Sequence, residues 1–336
     1  MVQNWIIPQI LIIGFENHIF RKLIFLTCFS CDLLLKSRLI IVRILNQMKL
    51  KNILVPIDFS TYSINALKLA KEIAKKAEGT IYLLHVIEVP IEKYSFIKER
   101  QKGIIKSIYT SNFIEIVKEK LIEIRDKNKS THFSLNEALR IGDPYNEIVK
   151  FVEEDDIDII VIGAKGIMNR EELYLGSLCE KIIRTIQCPV ITVTQISSEN
   201  QLKNIVYSAD FKLEQLKVIS VIKKIQSLFE SHINILKINP HENNLSDDEQ
   251  LNNLRTLALE SGLQDFDLDV ARHPNEEYGI IEFASRKNAD LIAIGLHEKS
   301  GIRRLISGGL LIDEISDHAF RPILTYHFDI MKDKSE

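Results

Sequence analysis

From Met48 onward the chain alternates between short apolar runs and longer segments in which apolar residues recur every three or four positions. The runs fit strands buried on both faces, and the longer spacing fits amphipathic helices. Ile53 to Ile57 is the first run. Ser60 or Ser63 can cap the helix after it, whose apolar stripe is Ile64, Leu67, Ala70, Ile73 and Ala77, with Gly79 suited to its C-terminal stop. Thr80 to Ile87 reads as a second strand, Glu92 to Lys127 as a long helical region with a solvated charged face, and Phe133 to Arg140 as a third strand. Pro144 opens a helix with Ile148, Phe151 and Val152 inward, since proline suits a first helical position. Ile157 to Ile162 is the most apolar strand, Ser177 to Ile186 a helix buried through Leu178, Ile182, Ile183 and Ile186, and Pro189 to Thr194 a last strand. Strand and helix in this repetition predict an α/β fold with a parallel sheet wound on both faces.

The whole pattern then recurs. NILVPIDF at Asn52 to Phe59 returns as NIVYSADF at Asn204 to Phe211. DIIVIGAKG, ending at Gly166, returns as DLIAIGLHE, ending at Glu298, and CPVITV from Cys188 returns as RPILTY from Arg321. The order is the same in both copies, which points to a duplicated domain. The expected boundaries are 48–196 and 201–330, with the break at Ser197 to Asn200. In the second copy Ser246 and Glu249 form a capping box ahead of a helix carrying Leu251, Leu254 and Leu257. Val190 to Thr194 and Ile323 to His327 are apolar last strands, and unpaired edges of that kind invite association.

Residues 1–47 follow neither period. Glu16, Arg21, Lys22, Asp32, Lys36 and Arg38 interrupt the stretch, so no uncharged run approaches the ~18 residues of a membrane span. No positive segment precedes its apolar part as a secretory signal would require. The expectation is a non-native or disordered extension, dispensable to a working protein that begins at Met48; a membrane-associating amphipathic tail is the other reading. Cys28 and Cys31 have the spacing of a redox or metal pair but lack a second pair and are given no role.

Composition narrows the class. Hydrophobic residues make up 46% and charged residues 26% of the 336, which excludes a disordered or collagen-like chain. A net charge of -3 supplies no overall positive field for nucleic acid or an anionic membrane, so neither is expected as a partner. Four cysteines are too few for a disulfide scaffold, which leads to a reducing cytoplasm as the expected compartment.

Candidate chemistry gathers in the first copy. In doubly wound sheets ligands bind outside the carboxyl ends of the strands. Asp58 closes the first strand, where its carboxylate can accept hydrogen bonds from a ribose or a base; alternatively it caps the next helix. Gly142 ends the third strand. Gly163-Ala164-Lys165-Gly166 leaves the central strand, and Gly176-Ser177 begins the helix beyond. Glycines admit close backbone approach, and a helix N-terminus offers free N–H groups to an anion, so the set reads as a phosphate cradle distinct from Walker A and from GxGxxG. Among the histidines, His297-Glu298 lacks the second His of a zinc helix, and no metal site is expected. Cys179 and Cys188 read as small buried hydrophobes. No Ser-His-Asp or metal-carboxylate set stands out, so at most weak ATP hydrolysis is expected and no catalytic residue is assigned.

The spacing Gly163-x2-Gly166-x9-Gly176-Ser177, with NILVPIDFS before it and CPVITV after it, resembles the universal stress protein family, as a tandem pair from Met48 to about Asp329. The resemblance implies two Rossmann-like, adenine nucleotide alpha hydrolase-like domains joined through their last strands as an internal pseudo-dimer, and leaves a further homodimer open. It implies ATP, AMP or another adenine nucleotide as ligand, with or without Mg. Asp58 and Val86 would contact the adenosine, and Gly163, Gly166, Gly176 and Ser177 the ribose and phosphates; Val86 on its own reads as core. Cys179 departs from the hydroxyl residue common at its position, and Glu171-Glu172 bring negative charge that Lys165 and Arg170 offset. The function implied is stress response through conformation or an unidentified protein partner, with a nucleotide-independent scaffold and a slow ATPase as the alternatives.

Overall fold

The computed structural model describes residues 49–88, 99–164, 176–196, 202–209, 216–239, 246–296 and 321–327, with the backbone alone at 99–111, 216, 217 and 296. Residues 1–47, expected to be a non-native or disordered extension, lie outside them. The first half runs β1 (Asn52–Pro56), α1 (Thr61–Ala77), β2 (Thr80–Ile87), α2 (Glu99–Lys127), β3 (Ser134–Ile141), α3 (Pro144–Glu154), β4 (Ile159–Gly163), α4 (Ser177–Thr185) and β5 (Val190–Val193). The second runs β6 (Asn204–Ser208), α5 (Leu216–Phe229), β7 (His232–Asn239), α6 (Asp247–Ser261), β8 (Phe266–Arg272), α7 (Glu276–Arg286), β9 (Leu291–Leu296) and β10 (Ile323–His327).

All ten strands join one sheet in the order β3-β2-β1-β4-β5-β10-β9-β6-β7-β8. Each half is a doubly wound parallel sheet, and the two meet through their last strands, as expected. The pairing of β5 with β10 is antiparallel, with Ile191 opposite Leu324. Two buried threonines close it reciprocally: Thr192 Oγ1 donates to the carbonyl of Ile323 at 3.3 Å, and Thr325 Oγ1 to that of Val190 at 3.2 Å. Each hydroxyl thus satisfies itself on the strand opposite, which makes a polar pair tolerable at the buried join.

Helices cover both faces. One core runs through both halves beneath α1, α2, α5 and α6, from Ile53 and Leu67 across Ile191 and Leu324 to Ile222 and Leu254. The other lies beneath α3, α4 and α7, with Ile148, Ile182 and Ile280 at its centre. Because cores and sheet are continuous, Met48 to Glu336 forms one compact unit.

The duplication extends to single hydrogen bonds. Asp158 Oδ2 accepts from the backbone N–H groups of Lys51 and Asn52 at 2.8 and 2.9 Å. Asp290 Oδ2 does the same for Lys203 and Asn204 at 2.8 and 3.0 Å. Each aspartate therefore ties the first strand of its half to the entry of β4 or β9. The Cys188 thiol reaches the Ile157 carbonyl at 3.6 Å, and Arg321 Nε donates to the matching carbonyl of Ala289 at 2.6 Å.

Burial pushes the Asp158 carboxyl above its ordinary value, outweighing the two N–H donors and nearby Lys49. The folded chain then holds this proton more tightly than the unfolded chain, so stability from this group is full at low pH and declines as pH rises through the raised value. Asp158→Ala strands two N–H groups and is expected to cost about 2 kcal/mol, whereas Asp158→Asn keeps an acceptor and removes the pH dependence. Urea unfolding of the three chains between pH 4 and 7 checks both statements.

Two local readings are corrected by the structure. The left-handed residue after α1 is Glu78 (φ 50°), with its N–H bonded to the Ala74 carbonyl, rather than Gly79. Gly79 is required for another reason: a Cβ there would lie 2.5 Å from the Lys51 carbonyl oxygen. On α4 it is Cys179 that is buried, while Leu178 is half-buried, because the stripe follows Cys179, Ile182, Ile183 and Ile186. Val152 is half-buried too but packs inward against the same core as Ile148 and Phe151, as expected. Within the region read as helical from Glu92, α2 begins at Glu99, and residues 89–98 are outside the described residues.

Candidate functional site

The first half reverses its strand order between β1 and β4, which are neighbours in the sheet although β2 and β3 separate them in the chain. A crevice outside the carboxyl ends of the strands belongs at such a switch. Asp58 lies two residues beyond β1 and Gly163 is the last residue of β4, so both border it. Val86, in β2, and Gly142, directly after β3, stand farther along the same edge. Gly176 and Ser177 open α4. Gly166, like Lys165, Arg170, Glu171 and Glu172, lies outside the described residues.

Asp58 does not cap α1. That role falls to Ser60, whose hydroxyl accepts from the Ser63 N–H at 3.2 Å. Asp58 Oδ1 accepts instead from the Ser60 N–H at 3.0 Å, folding the β1–α1 turn around its own carboxylate. Phe59, between them, has φ 66°, a left-handed conformation that a bulky residue adopts only under constraint.

The glycines divide by role. A Cβ on Gly163 would lie 2.7 Å from the Tyr62 carbonyl carbon and 2.8 Å from the Ser63 nitrogen, so this glycine lets the first turn of α1 pack onto the end of β4. Gly142 has φ 156°, and a Cβ there would stand 3.1 Å from the Glu147 carboxylate. Gly176 is the N-cap of α4 and supplies no side-chain hydrogen bond to its first turn. Its own N–H donates to the Ala164 carbonyl at 2.9 Å, joining the two ends of the 165–175 segment. The first-turn N–H groups of α4 therefore have no cap from Gly176 in front of them, and Ser177, exposed at the first helical position, adds a hydroxyl. Such a terminus suits an anion. Two positions later Cys179 faces the core; burial, with Glu180 adding to it, pushes its thiol up, so it stays protonated and unreactive. Val86 is half-buried and packs on the core beneath α3 and α4.

The second half rebuilds this edge with other residues. The Gly142 N–H donates to the Ile87 carbonyl at 3.1 Å, and the His273 N–H donates to the corresponding Asn239 carbonyl at 3.2 Å. His273 is thus the counterpart of Gly142. Matching Pro274 to Pro144 by sequence would instead set Arg272 there, but in the ladder Arg272 pairs with Asn239 as Ile141 pairs with Ile87, one residue earlier. Bulk has also changed places: in the first half Glu147 on the helix covers Gly142, while in the second Gly279 on the helix leaves room for His273, whose Cβ would be only 2.8 Å from a Cβ at Gly279.

Comparison with known proteins gives the lineage of this arrangement. Residues 49–194 match the model of the Universal stress protein family. Universal stress protein MJ0577 of Methanocaldococcus jannaschii is 32% identical over 157 residues, 44% of this chain and 97% of that protein. The chain belongs to the universal stress protein family. Universal stress protein Slr1230 of Synechocystis aligns through both halves, at 22% identity over 296 residues, 82% of this chain and 100% of that one. The crystal structure of a universal stress protein from Archaeoglobus fulgidus has the same fold, with a TM-score of 0.64 at 18% identity, covering 82% of this chain and 98% of that one.

Reading the sequence missed His85, which holds the turn on which Asp58 sits. Its Nδ1 lies 2.6 Å from the Ile57 carbonyl and its ring 4.8 Å, centroid to centroid, from that of Phe59. The signal was present: an imidazole inside the otherwise apolar Leu83-Leu84-His85-Val86-Ile87. Among the described residues no helix is long and apolar enough to cross a membrane.

Proposed function

We propose that the first half of this universal stress protein binds an adenine nucleotide, ATP or AMP, at the carboxyl edge of β1 and β4, and that occupancy alters conformation or partner choice in a cytoplasmic stress response. The observation that carries the reading is the start of α4. A glycine N-cap with no side-chain bond and an exposed Ser177 face the edge that Asp58 borders. Polyphosphate suits the helix terminus, and the Asp58 carboxylate suits ribose hydroxyls or an exocyclic amine, which are donors. Family membership supports the same ligand class. Gly166 would complete the cradle, Gly163 would set the α1–β4 spacing, and Gly142 and Val86 would leave the adenosine end open and apolar. The first and second halves are proposed as 48–196 and 201–330, with residues 1–47 outside the working fold.

The test is mass spectrometry of ligand released from natively purified protein, followed by calorimetry with ATP and AMP. An adenine nucleotide is expected, and Asp58→Ala is expected to weaken it at least tenfold, the loss typical of a hydrogen bond to a charged group. Absence of both capture and binding favours a nucleotide-independent scaffold. Phosphate release that Asp58→Ala abolishes favours a slow ATPase.

A further inference from the structure

We propose that His85 is a positioning residue for Asp58, orienting its carboxylate toward the nucleotide without touching the ligand; the inference rests on the nucleotide reading above. Asp58 lies between two residues that His85 grips. On one side, the Ile57 carbonyl is 2.6 Å from His85 Nδ1. A carbonyl oxygen only accepts, so Nδ1 carries the proton and the tautomer is set. The Ile57 N–H is held too, by the Leu84 carbonyl at 2.8 Å. On the other side, the Phe59 ring lies against the imidazole at 4.8 Å and 35°, and Lys120 Nζ stands 5.5 Å from the same ring.

The left-handed Phe59, at φ 66°, makes this grip consequential. A bulky residue leaves that region when nothing holds it, and a relaxed Phe59 would swing the neighbouring Asp58 away from β4. Val86, next along β2, packs on the core beneath α3 and α4, so the strand's alternation turns His85 to the other face, the one on which Leu83, Ile87 and Phe59 pack. The second half supplies a natural control. It keeps the backbone bond, Ala209 N–H to the Leu236 carbonyl at 2.9 Å, but Lys237 occupies the place of His85. There the sequence retains an aspartate, Asp210, without an imidazole to set it.

The experiment measures ATP and AMP affinity by calorimetry on the full chain, in the wild-type and Asp58→Ala backgrounds. His85→Phe keeps a ring and loses the donor; His85→Asn loses the ring but places an amide N–H close to the Nδ1 position. His85→Phe is expected to weaken binding about three- to tenfold, the range of one net hydrogen bond, and His85→Asn to recover most of it. Neither change should matter once Asp58 is alanine. If His85→Phe proves poorly folded, His85→Ala, which removes the donor without adding bulk, reads the same coupling against His85→Asn. Equal losses in both backgrounds mean a general effect on the fold and overturn the proposal. Binding that Asp58→Ala weakens and His85→Phe leaves intact overturns it alone, while a wild-type chain that binds neither nucleotide overturns the nucleotide reading and this inference with it.

Discussion

Gly163→Ala is expected to destabilise the chain by about 3 kcal/mol, with or without nucleotide. The new methyl would meet the Tyr62 carbonyl carbon at 2.7 Å and the Ser63 nitrogen at 2.8 Å. Both are backbone atoms in the first turn of α1, so no rotamer change relieves the clash. Relief requires α1 to lift from β4, disturbing its own buried face of Leu67, Ala70 and Ile73. Inserted atoms in a packed core cost about 1–3 kcal/mol, and a backbone neighbour sets the upper end. Gly176→Ser is expected to do the reverse. Gly176 has φ -63° and ψ 140°, open to any residue, and serine is a better N-cap than glycine by a few tenths of a kcal/mol. Its hydroxyl would, however, take an N–H that the phosphate needs, so stability holds and affinity falls. Urea unfolding separates the two, as a lower midpoint at unchanged slope for Gly163→Ala alone. A Gly163→Ala chain of full stability that has lost nucleotide would show that the glycine serves the ligand and not the helix.

That contrast shows what the sequence could and could not reveal. The repeat and the doubly wound parallel class of each half were legible because they follow from periodicity, which holds along whole segments; the meeting of the last strands came from the family resemblance, with their apolar edges in keeping. The capping box at Ser246 and the proline start of α3 were legible because capping is local chemistry. The roles of individual glycines were not. A glycine is identified by what would collide with its missing side chain, and for Gly79 and Gly163 those atoms belong to Lys51 and Tyr62, distant in the chain. His85 was hidden similarly, since its partner is a backbone carbonyl, which every residue carries and no pattern distinguishes. The Gly142–His273 correspondence needed the ladder itself, because the turn after β8 is one residue longer than the turn after β3 and proline matching slips past it.

One adenine nucleotide per chain is the expected stoichiometry, with the site in the first half. The second half keeps Gly295 and Gly308 at the separation of Gly163 and Gly176, and Asp210 at the place of Asp58. Three substitutions work against binding. His273 fills the position of Gly142, and Gly279 has become small to admit it, so the second edge is repacked around an imidazole. Glu298 takes the sequence position of Gly166, and Gly309 that of Ser177. A carboxylate ~4 Å from a phosphate costs on the order of 4 kcal/mol at an effective dielectric near 20, and the lost hydroxyl about 1 kcal/mol more. Each 1.4 kcal/mol is tenfold in affinity, so the sum reaches a factor of about a thousand or more, enough to move a micromolar site beyond the millimolar range. Lys237 in place of His85 removes the grip on the aspartate besides. The second half then acts as the structural partner that pairs β10 with β5. Calorimetry of the intact chain with ATP is expected to give a ratio near one, and Gly176→Glu, which sets a carboxylate at the α4 terminus, to abolish it. The complementary variant decides the cause: Glu298→Gly with Gly309→Ser should leave the second half empty if His273 is the main obstacle, and should raise the ratio toward two if charge is. Two equal sites in the unaltered chain, or binding that survives Gly176→Glu, would place the nucleotide elsewhere.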